Sequence, residues 1–127
     1  MIFGIGTDII EVERIERYIN KGDAFRDRVF TESEVAYCGG SKNRMERYAA
    51  RFAAKEAMFK AMGTGCRGEM SFRNIEVVSD EMGKPMIKAY GAVSDFLKQN
   101  NIMKIHLSMS HLKSMAIATV LLEKETI

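Results

Sequence analysis

The stretch that decides the fold lies at residues 44–62 and reads RMERYAARFAAKEAMFKAM. It is almost entirely apolar from Ala49 onward, and the turn-forming Gly63-Thr64-Gly65 follows it, so we expect one long helix from about Arg44 to Met62. At about 100° per residue, one face of this helix carries small side chains only. That face would let a sheet or another backbone approach closely, and it consists of Ala50, Ala53, Ala54, Ala57 and Ala61.

A glutamate lies in the aromatic stripe of the same helix, because Glu56 follows Phe52 by four residues and precedes Phe59 by three. A carboxylate in apolar surroundings is costly unless a cation compensates its charge. Two interpretations follow from this. One is a surface ion pair with Lys60 at i,i+4, which the spacing alone favours, and the other is a bound metal ion.

The N-terminal segment predicts a strand, Met1–Asp8, in which Gly4, Gly6 and Asp8 share one face. Glycines inside a strand often mark the close approach of a ligand or of another backbone. Asp8 has a second interpretation, since aspartate commonly caps a helix and a helix is expected to begin near Glu11. Asp8 and Glu56 together would suit Mg²⁺, which proteins usually hold through one or two carboxylates.

The remaining pattern predicts a short helix opened by a capping box, Thr31-x-x-Glu34, and ended at Gly39-Gly40. The other expected elements are helices at Glu11–Asn20 and Gly91–Gln99, and strands at Ser71–Ser79, Pro85–Tyr90, Ile105–Ser110 and Met115–Leu122. The fold class is therefore α+β, with a largely antiparallel sheet packed on one long helix, in a single domain that spans residues 1–127.

Composition indicates an ordinary soluble globular protein, with 46% hydrophobic and 28% charged residues. The apolar runs are too short to span a bilayer and the N-terminus lacks the pattern of a secretory signal, so we expect a cytoplasmic protein. Cys38 and Cys66 stand alone and are expected to be reduced. Zinc is disfavoured, because His106 and His111 are five residues apart on an expected strand and would point to opposite faces.

Five segments in order resemble the holo-acyl-carrier-protein synthases, the small trimeric class of phosphopantetheinyl transferases. The segments are GIGTDIIE at 4–11, RFAAKEAMFKA at 51–61, GTG at 63–65, GKP at 83–85 and HLSMSH at 106–111. The departures are mild: Met115 stands where an aromatic residue is frequent in relatives, and Met82 where a polar turn residue is frequent.

This resemblance implies transfer of 4′-phosphopantetheine from coenzyme A to a serine of apo acyl carrier protein, in support of fatty acid biosynthesis. It also implies Mg²⁺ bound by Asp8 and Glu56, and a homotrimer with active sites at the subunit interfaces. Catalytic roles are expected for Asp8, Glu56 and Lys60, with Lys60 on the phosphates or the leaving group. The base that activates the carrier serine stays open between a metal-bound water and Glu56.

Coenzyme A itself is expected to contact Arg51, Lys60, Gly63, Thr64, Gly65, Lys84, Pro85, His106 and Ser108. Within that set Lys84 would reach the 3′-phosphate, and Gly63-Thr64-Gly65 would form an anion-binding nest. Each assignment has a plainer alternative. The glycine pair would serve simply as a helix C-cap, Lys84 as a solvated turn residue and His106 as a structural histidine.

A basic surface with aromatic edges is expected to dock the acidic carrier protein. Its residues are Arg14, Arg17, Tyr18, Phe25 and Arg28. A solvated polar face is the default interpretation of the same pattern. Two competing functions remain: a small RNA-binding module that uses a face with Arg44, Arg51 and Lys55, and a carrier-binding subunit without activity.

Overall fold

The computed structural model describes residues 1–126. The strands are β1 Ile2–Glu11, β2 Ile75–Ser79, β3 Pro85–Ala89, β4 Ile102–His111 and β5 Met115–Lys124. The helices are α1 Val12–Asn20, α2 Asp23–Val29, α3 Glu32–Gly39, α4 Arg44–Met62 and α5 Gly91–Gln99, with a 3-10 turn at Phe72–Asn74.

The strands form two antiparallel sheets, one with the order β1-β5-β4 and one a hairpin of β2 and β3. The predicted α+β class and the long helix are confirmed. The strand predicted at Ser71–Ser79 was placed too early, because Ser71 accepts a hydrogen bond from the Arg73 backbone N–H and opens the 3-10 turn instead. Helix α2 was not predicted.

Helix α4 packs on β1 so closely that side chains are excluded between them. A Cβ atom on Gly4 would lie 2.0 Å from the carbonyl oxygen of Ala61, and one on Gly6 would lie 2.1 Å from that of Ala57. The glycines therefore admit another backbone, which was one of the two possibilities that the strand pattern left open. The alanine face of α4 is buried in this contact, as predicted.

The opposite side of α4 is anchored by a buried ion pair. Lys55 is fully buried and its Nζ lies 2.7 Å from Glu34 Oε1, while three backbone carbonyls also surround the ammonium group. Glu34 completes the predicted capping box of α3 by accepting from the Thr31 backbone N–H, and its other oxygen accepts from the Val77 N–H. Because each charge is paired and hydrogen-bonded, the network ties α3 and β2 to α4.

Burial of Lys55 and Arg51 contradicts the RNA-binding alternative. That hypothesis needed both residues on an open basic face with Arg44, yet Arg51 is 4% exposed and Lys55 is 0% exposed.

Both cysteines are free, Cys38 in the core and Cys66 at the surface. Within residues 1–126, none of the helices combines the length and the apolar character that crossing a membrane requires.

The contact between β1 and α4 predicts a large stability difference between two glycine substitutions. Gly6→Ala should lower the free energy of unfolding by about 3 kcal/mol, the upper end for overpacking, because a backbone carbonyl cannot swing aside. Gly39→Ala is the control, since a Cβ there meets nothing within 4 Å. Urea unfolding measures both; equal effects of the two substitutions would refute the close packing.

Candidate active site

Two carboxylates flank the point where β1 crosses α4. Asp8 comes two residues after Gly6, on the same face of the strand, and Glu56 immediately precedes Ala57, the residue that Gly6 contacts. The two groups interact electrostatically: burial raises the pKa of Glu56, and the negative charge of Asp8 raises that pKa further. The packing of two backbones thus brings together carboxylates that are 48 positions apart in the sequence.

Lys60 is the cation of this site, and its partner is Asp8. The Lys60 ammonium lies 3.1 Å from Asp8 Oδ1 and donates to the Thr7 carbonyl at 3.0 Å. The expected surface ion pair between Glu56 and Lys60 is not formed in the part of the chain that the structure describes. Asp8 does not act as a helix cap either, since Glu11 occupies the N-cap position of α1.

The donor set fits a hard cation. Asp8 already has the Lys60 ammonium as its partner, whereas Glu56 has no ion pair among residues 1–126 and its pKa is raised by burial and by the charge of Asp8. A divalent ion held by the two carboxylates would compensate the negative charge that Lys60 leaves. Across residues 1–126, clusters of three or more His, Cys, Asp or Glu side chains suited to metal binding are absent. The arrangement is consistent with Mg²⁺, which takes its remaining ligands from water and substrate phosphates.

The segment after α4 lies within electrostatic reach of Glu56: burial raises the pKa of the Cys66 thiol, and the negative charge of Glu56 raises that pKa further. Gly63 adopts a left-handed conformation (φ 78°), and its N–H bonds to the carbonyls of Phe59 and Lys60 at 3.0 and 3.1 Å. Gly63 is therefore the C-cap of α4, the alternative that the sequence left open. Thr64 Oγ1 donates to the Gly65 carbonyl at 2.8 Å.

A separate cavity of about 370 Å³ lies between the β2–β3 turn and β4, and it is lined by Lys84, Pro85 and His106. Asp80 organises this turn by accepting from the Lys84 backbone N–H at 2.8 Å. On β4, His106 Nε2 lies 2.5 Å from Glu123 Oε1. The structure thus brings three of the expected coenzyme A residues together.

His106 and Ser108 nevertheless lie on the other side of the sheet from Asp8. His106 pairs in register with Leu121 and Ser108 with Thr119, whereas Asp8 pairs with buried Ala118. Neighbouring positions along β5 point to opposite faces, so these residues and Asp8 cannot line one cleft within one chain. His111 pairs with Ala116 and so faces away from His106, as predicted.

The face that carries His106 and Ser108 is called here the outer face of the β1-β5-β4 sheet. Three of its aliphatic side chains are open to solvent, on either side of the hydrogen-bonded pair Thr7–Thr119: Ile5 is 62% exposed, Ile9 57% and Ile117 39%. Exposure of several large aliphatic side chains on one flat sheet face is uncommon in a monomer and is typical of a protein–protein contact.

A cavity of about 560 Å³ opens at the expected carrier-docking surface. Four of the five predicted residues line it, namely Arg14, Tyr18, Phe25 and Arg28. Arg17 does not. Phe52 and Phe72 add an apolar floor, with ring centroids 5.8 Å apart. The Tyr18 hydroxyl accepts from Arg14 Nε at 3.0 Å, so the aromatic edge also orients the basic rim.

A third cavity, of about 280 Å³, is lined by Arg51 together with Tyr37, Arg47 and Pro85. Of these residues only Arg51 and Pro85 were expected to bind a ligand from the sequence; Arg47 and Tyr37 carried no recognised signal. Tyr37 belongs to α3 and approaches the two arginines only through tertiary packing.

Comparison with known proteins assigns this architecture to one family. The model of the 4′-phosphopantetheinyl transferase superfamily matches residues 4–120. The holo-[acyl-carrier-protein] synthase of Geobacter sp. (strain M21) is 44% identical over 125 residues, which are 98% of this chain and all of that protein. The synthase of Clostridium tetani is 46% identical over the full length of both chains.

Solved structures with the same fold come from the same family. The holo-[acyl-carrier-protein] synthase of Neisseria meningitidis has a TM-score of 0.90 at 43% identity, covering 98% of this chain and 100% of that one. The synthase of Bacillus anthracis, solved in complex with CoA (3′,5′-ADP), has a TM-score of 0.82 at 43% identity, with coverage of 98% and 99%.

The raised pKa of Glu56 predicts a pH-dependent effect on stability. A glutamate whose pKa is higher in the folded state destabilises that state once pH rises above the ordinary value of 4.5. In buffer with a chelator, Glu56→Gln should therefore raise Tm at pH 7 and leave it nearly unchanged at pH 4. Glu81→Gln, in an exposed turn, is the control. Tm is measured by thermal unfolding followed by circular dichroism. A lower Tm for Glu56→Gln than for wild-type protein at pH 7 would contradict the raised pKa of Glu56.

Proposed function

The chain belongs to the 4′-phosphopantetheinyl transferase superfamily, among the holo-[acyl-carrier-protein] synthases, and we propose that Asp8 and Glu56 are its metal-binding residues. It transfers the 4′-phosphopantetheine group of coenzyme A to a serine of apo acyl carrier protein. The products are holo carrier protein and adenosine 3′,5′-bisphosphate. The observation that supports the site assignment is the pair of carboxylates at the crossing of β1 and α4.

Asp8 and Glu56 would hold Mg²⁺, which when bound polarises the phosphate that is attacked and neutralises its charge. Each carboxylate is carried by a rigid element, and the exclusion of side chains between β1 and α4 restricts their relative movement. Lys60 is the third catalytic residue of this proposal. Its ammonium, already beside Asp8, would meet the diphosphate and stabilise the departing nucleotide.

Coenzyme A would extend from these carboxylates past Gly63, Thr64 and Gly65 toward the cavities of the β3–β4 region. The segment after α4 supports this path, because it directly follows the helix that carries Glu56 and the charge of Glu56 helps to raise the pKa of its Cys66. Two further groups are proposed to hold the nucleotide: Arg51 in one cavity, and Lys84, Pro85, His106 and Ser108 on or near β4. All of these side chains except Arg51 and Pro85 are exposed or half-exposed polar groups available to a ligand.

A homotrimer would complete the site, because a neighbouring copy can supply residues that one chain directs away from Asp8. The support is the outer face, where exposed Ile5, Ile9 and Ile117 adjoin His106 and Ser108. Burying this apolar face between copies would remove it from water and carry the two polar residues to another copy's carboxylates.

The carrier protein would dock on the surface of Arg14, Arg17, Tyr18, Phe25 and Arg28. Basic residues surround an apolar floor there, a combination that suits an acidic partner with an apolar anchor. Arg14 also lies close enough to Glu56 to lower its pKa, so the surface reaches the proposed site of chemistry. We place this activity in the cytoplasm and in fatty acid biosynthesis.

Activity is tested by incubating the protein with apo acyl carrier protein, coenzyme A and Mg²⁺ and weighing the carrier by mass spectrometry. Wild-type protein should add phosphopantetheine, and removal of Mg²⁺ by chelation should stop the reaction. Glu56→Gln should lower the rate by at least roughly 100-fold, as expected for losing a group that holds transition-state charge. Glu81→Gln should retain activity. A folded wild-type protein that leaves the carrier mass unchanged would overturn the proposal.

Carrier docking is tested by charge reversal. Arg14→Glu should raise KM for the carrier protein by roughly tenfold, because it repels an acidic partner, and should leave KM for coenzyme A unchanged. Lys98→Glu makes the same charge change on α5, away from the cavity, and serves as the control. Equal increases in both KM values for Arg14→Glu would count against this docking surface.

A further inference from the structure

Lys55 of α4 holds its ammonium group among four oxygen atoms in the core. The side chain is fully buried, and its Nζ lies 2.8 Å from the carbonyl oxygen of Val29, 3.0 Å from that of Phe72 and 2.6 Å from that of Ile75. The fourth acceptor is Glu34 Oε1, at 2.7 Å. The acceptors belong to α2, the 3-10 turn, β2 and α3, so one side chain joins four separate elements to the long helix.

Two of these acceptors belong to the walls of the cavity of about 560 Å³ at the proposed carrier-docking surface, because Val29 and Phe72 both line it. Val29 is the last residue of α2, and the same helix contributes Phe25 and Arg28 to the cavity. A helix of seven residues is too short to be stable alone. Tertiary contacts such as the one from Lys55 therefore decide where α2 lies.

The same lysine is the neighbour of Glu56 along α4. Successive residues of an α-helix point about 100° apart, so the Lys55 ammonium is buried among the smaller elements while the Glu56 carboxylate interacts with that of Asp8. Close packing against Gly4 and Gly6 of β1 restricts rotation of the helix about its axis. The walls of the docking cavity and the proposed metal-binding carboxylate are thus attached to one turn of one helix.

Stability alone does not account for a lysine at this position. Taking an ammonium and a carboxylate out of water is costly, and apolar residues of similar volume often stabilise a core as well or better. The cost is offset here because Glu34 also accepts hydrogen bonds from the backbone N–H groups of Thr31 and Val77. An apolar side chain would fill the same space, but it would not fix where the surrounding carbonyl groups lie, since only hydrogen bonds are directional.

We propose that Lys55 is a positioning residue of the transfer reaction, which fixes the carrier-docking cavity relative to Glu56 so that a docked carrier protein presents its serine at the proposed metal-binding carboxylates. The inference rests on the proposed function, which makes an acyl carrier protein the acceptor. Lys55 is fully buried and offers no surface to either substrate. It acts through the carbonyls of Val29 and Phe72 and through the helix turn that it shares with Glu56.

The test is the double variant Lys55→Met/Glu34→Gln, which removes both charges and so leaves no buried charge without its partner. It should lower kcat/KM for the carrier protein by roughly 10- to 100-fold, because a misplacement of about 1 Å at the reacting groups can reduce the rate that much. KM for coenzyme A should stay at the wild-type value. So should the affinity for adenosine 3′,5′-bisphosphate, measured by calorimetry in the presence of Mg²⁺.

Two controls separate positioning from stability. Glu34→Gln weakens the buried pair but leaves the Lys55 ammonium on the carbonyls of Val29 and Phe72, so kcat/KM for the carrier protein should stay near the wild-type value. Leu97→Ala opens a cavity in the core at α5, outside the lining of the docking cavity, and should lower Tm without changing the kinetics. All variants are assayed well below their Tm.

Three results would overturn the proposal: wild-type kcat/KM for the carrier protein in the double variant, an equal loss in Leu97→Ala, or an equal rise of KM for coenzyme A. If the double variant does not fold, Lys55→Gln/Glu34→Gln replaces it, because two amides can hydrogen-bond to each other and to some of the same carbonyls. A smaller loss of kcat/KM for the carrier protein is then expected, with KM for coenzyme A unchanged, and wild-type kinetics would again overturn the proposal.

Calorimetry with the carrier protein alone separates this inference from the proposed function. Wild-type protein should bind apo acyl carrier protein roughly tenfold more tightly than the double variant does, because the walls of the docking cavity are held in place before binding. That result would support the role of Lys55 even if phosphopantetheine were not transferred. Equal affinities would refute this role even if transfer succeeded.

Discussion

The contact between the glycines of β1 and the alanines of α4 is the constraint on which the rest of the structure depends. A helix and a strand usually pack through side chains, but here the carbonyl oxygens of Ala57 and Ala61 occupy the space where Cβ atoms on Gly6 and Gly4 would be. This proximity leaves little freedom in the position of Asp8 relative to Glu56. The positions of Asp8 and Glu56 are thus fixed by contacts between backbones, which move less than contacts between side chains.

Two groups of charged residues differ in how their charge is compensated. Lys55 and Glu34 are buried, paired and fully hydrogen-bonded, and they hold the smaller elements against α4. Glu56, Arg47 and Arg51 have no ion pair among the described residues, although each is at least partly removed from solvent. Charges that stabilise a fold are compensated within it, whereas uncompensated charges at a cavity or cleft indicate that compensation comes from a ligand.

The two faces of the β1-β5-β4 sheet differ in what covers them. The inner face is covered by α4 and contains the small residues that allow close packing. The outer face exposes Ile5, Ile9 and Ile117, and it carries the two polar β4 residues expected at the coenzyme A site. This division explains why one chain does not gather all the expected residues, and why the proposed assembly and the proposed site depend on each other.

The sequence by itself determined α4, the capping box of α3 and the α+β class, because helical periodicity and stop signals are local patterns. Local patterns left Glu56 open between an ion pair and a metal ion, and the resemblance to a family singled out Asp8 and Glu56 as the proposed ligands. The sequence missed helix α2, gave no sign that Lys55 is buried and did not single out Tyr37. Burial of Lys55 and the stacking of Tyr37 depend on partners far along the chain. Only the tertiary structure decided these points, because which charges are compensated is a property of packing in three dimensions.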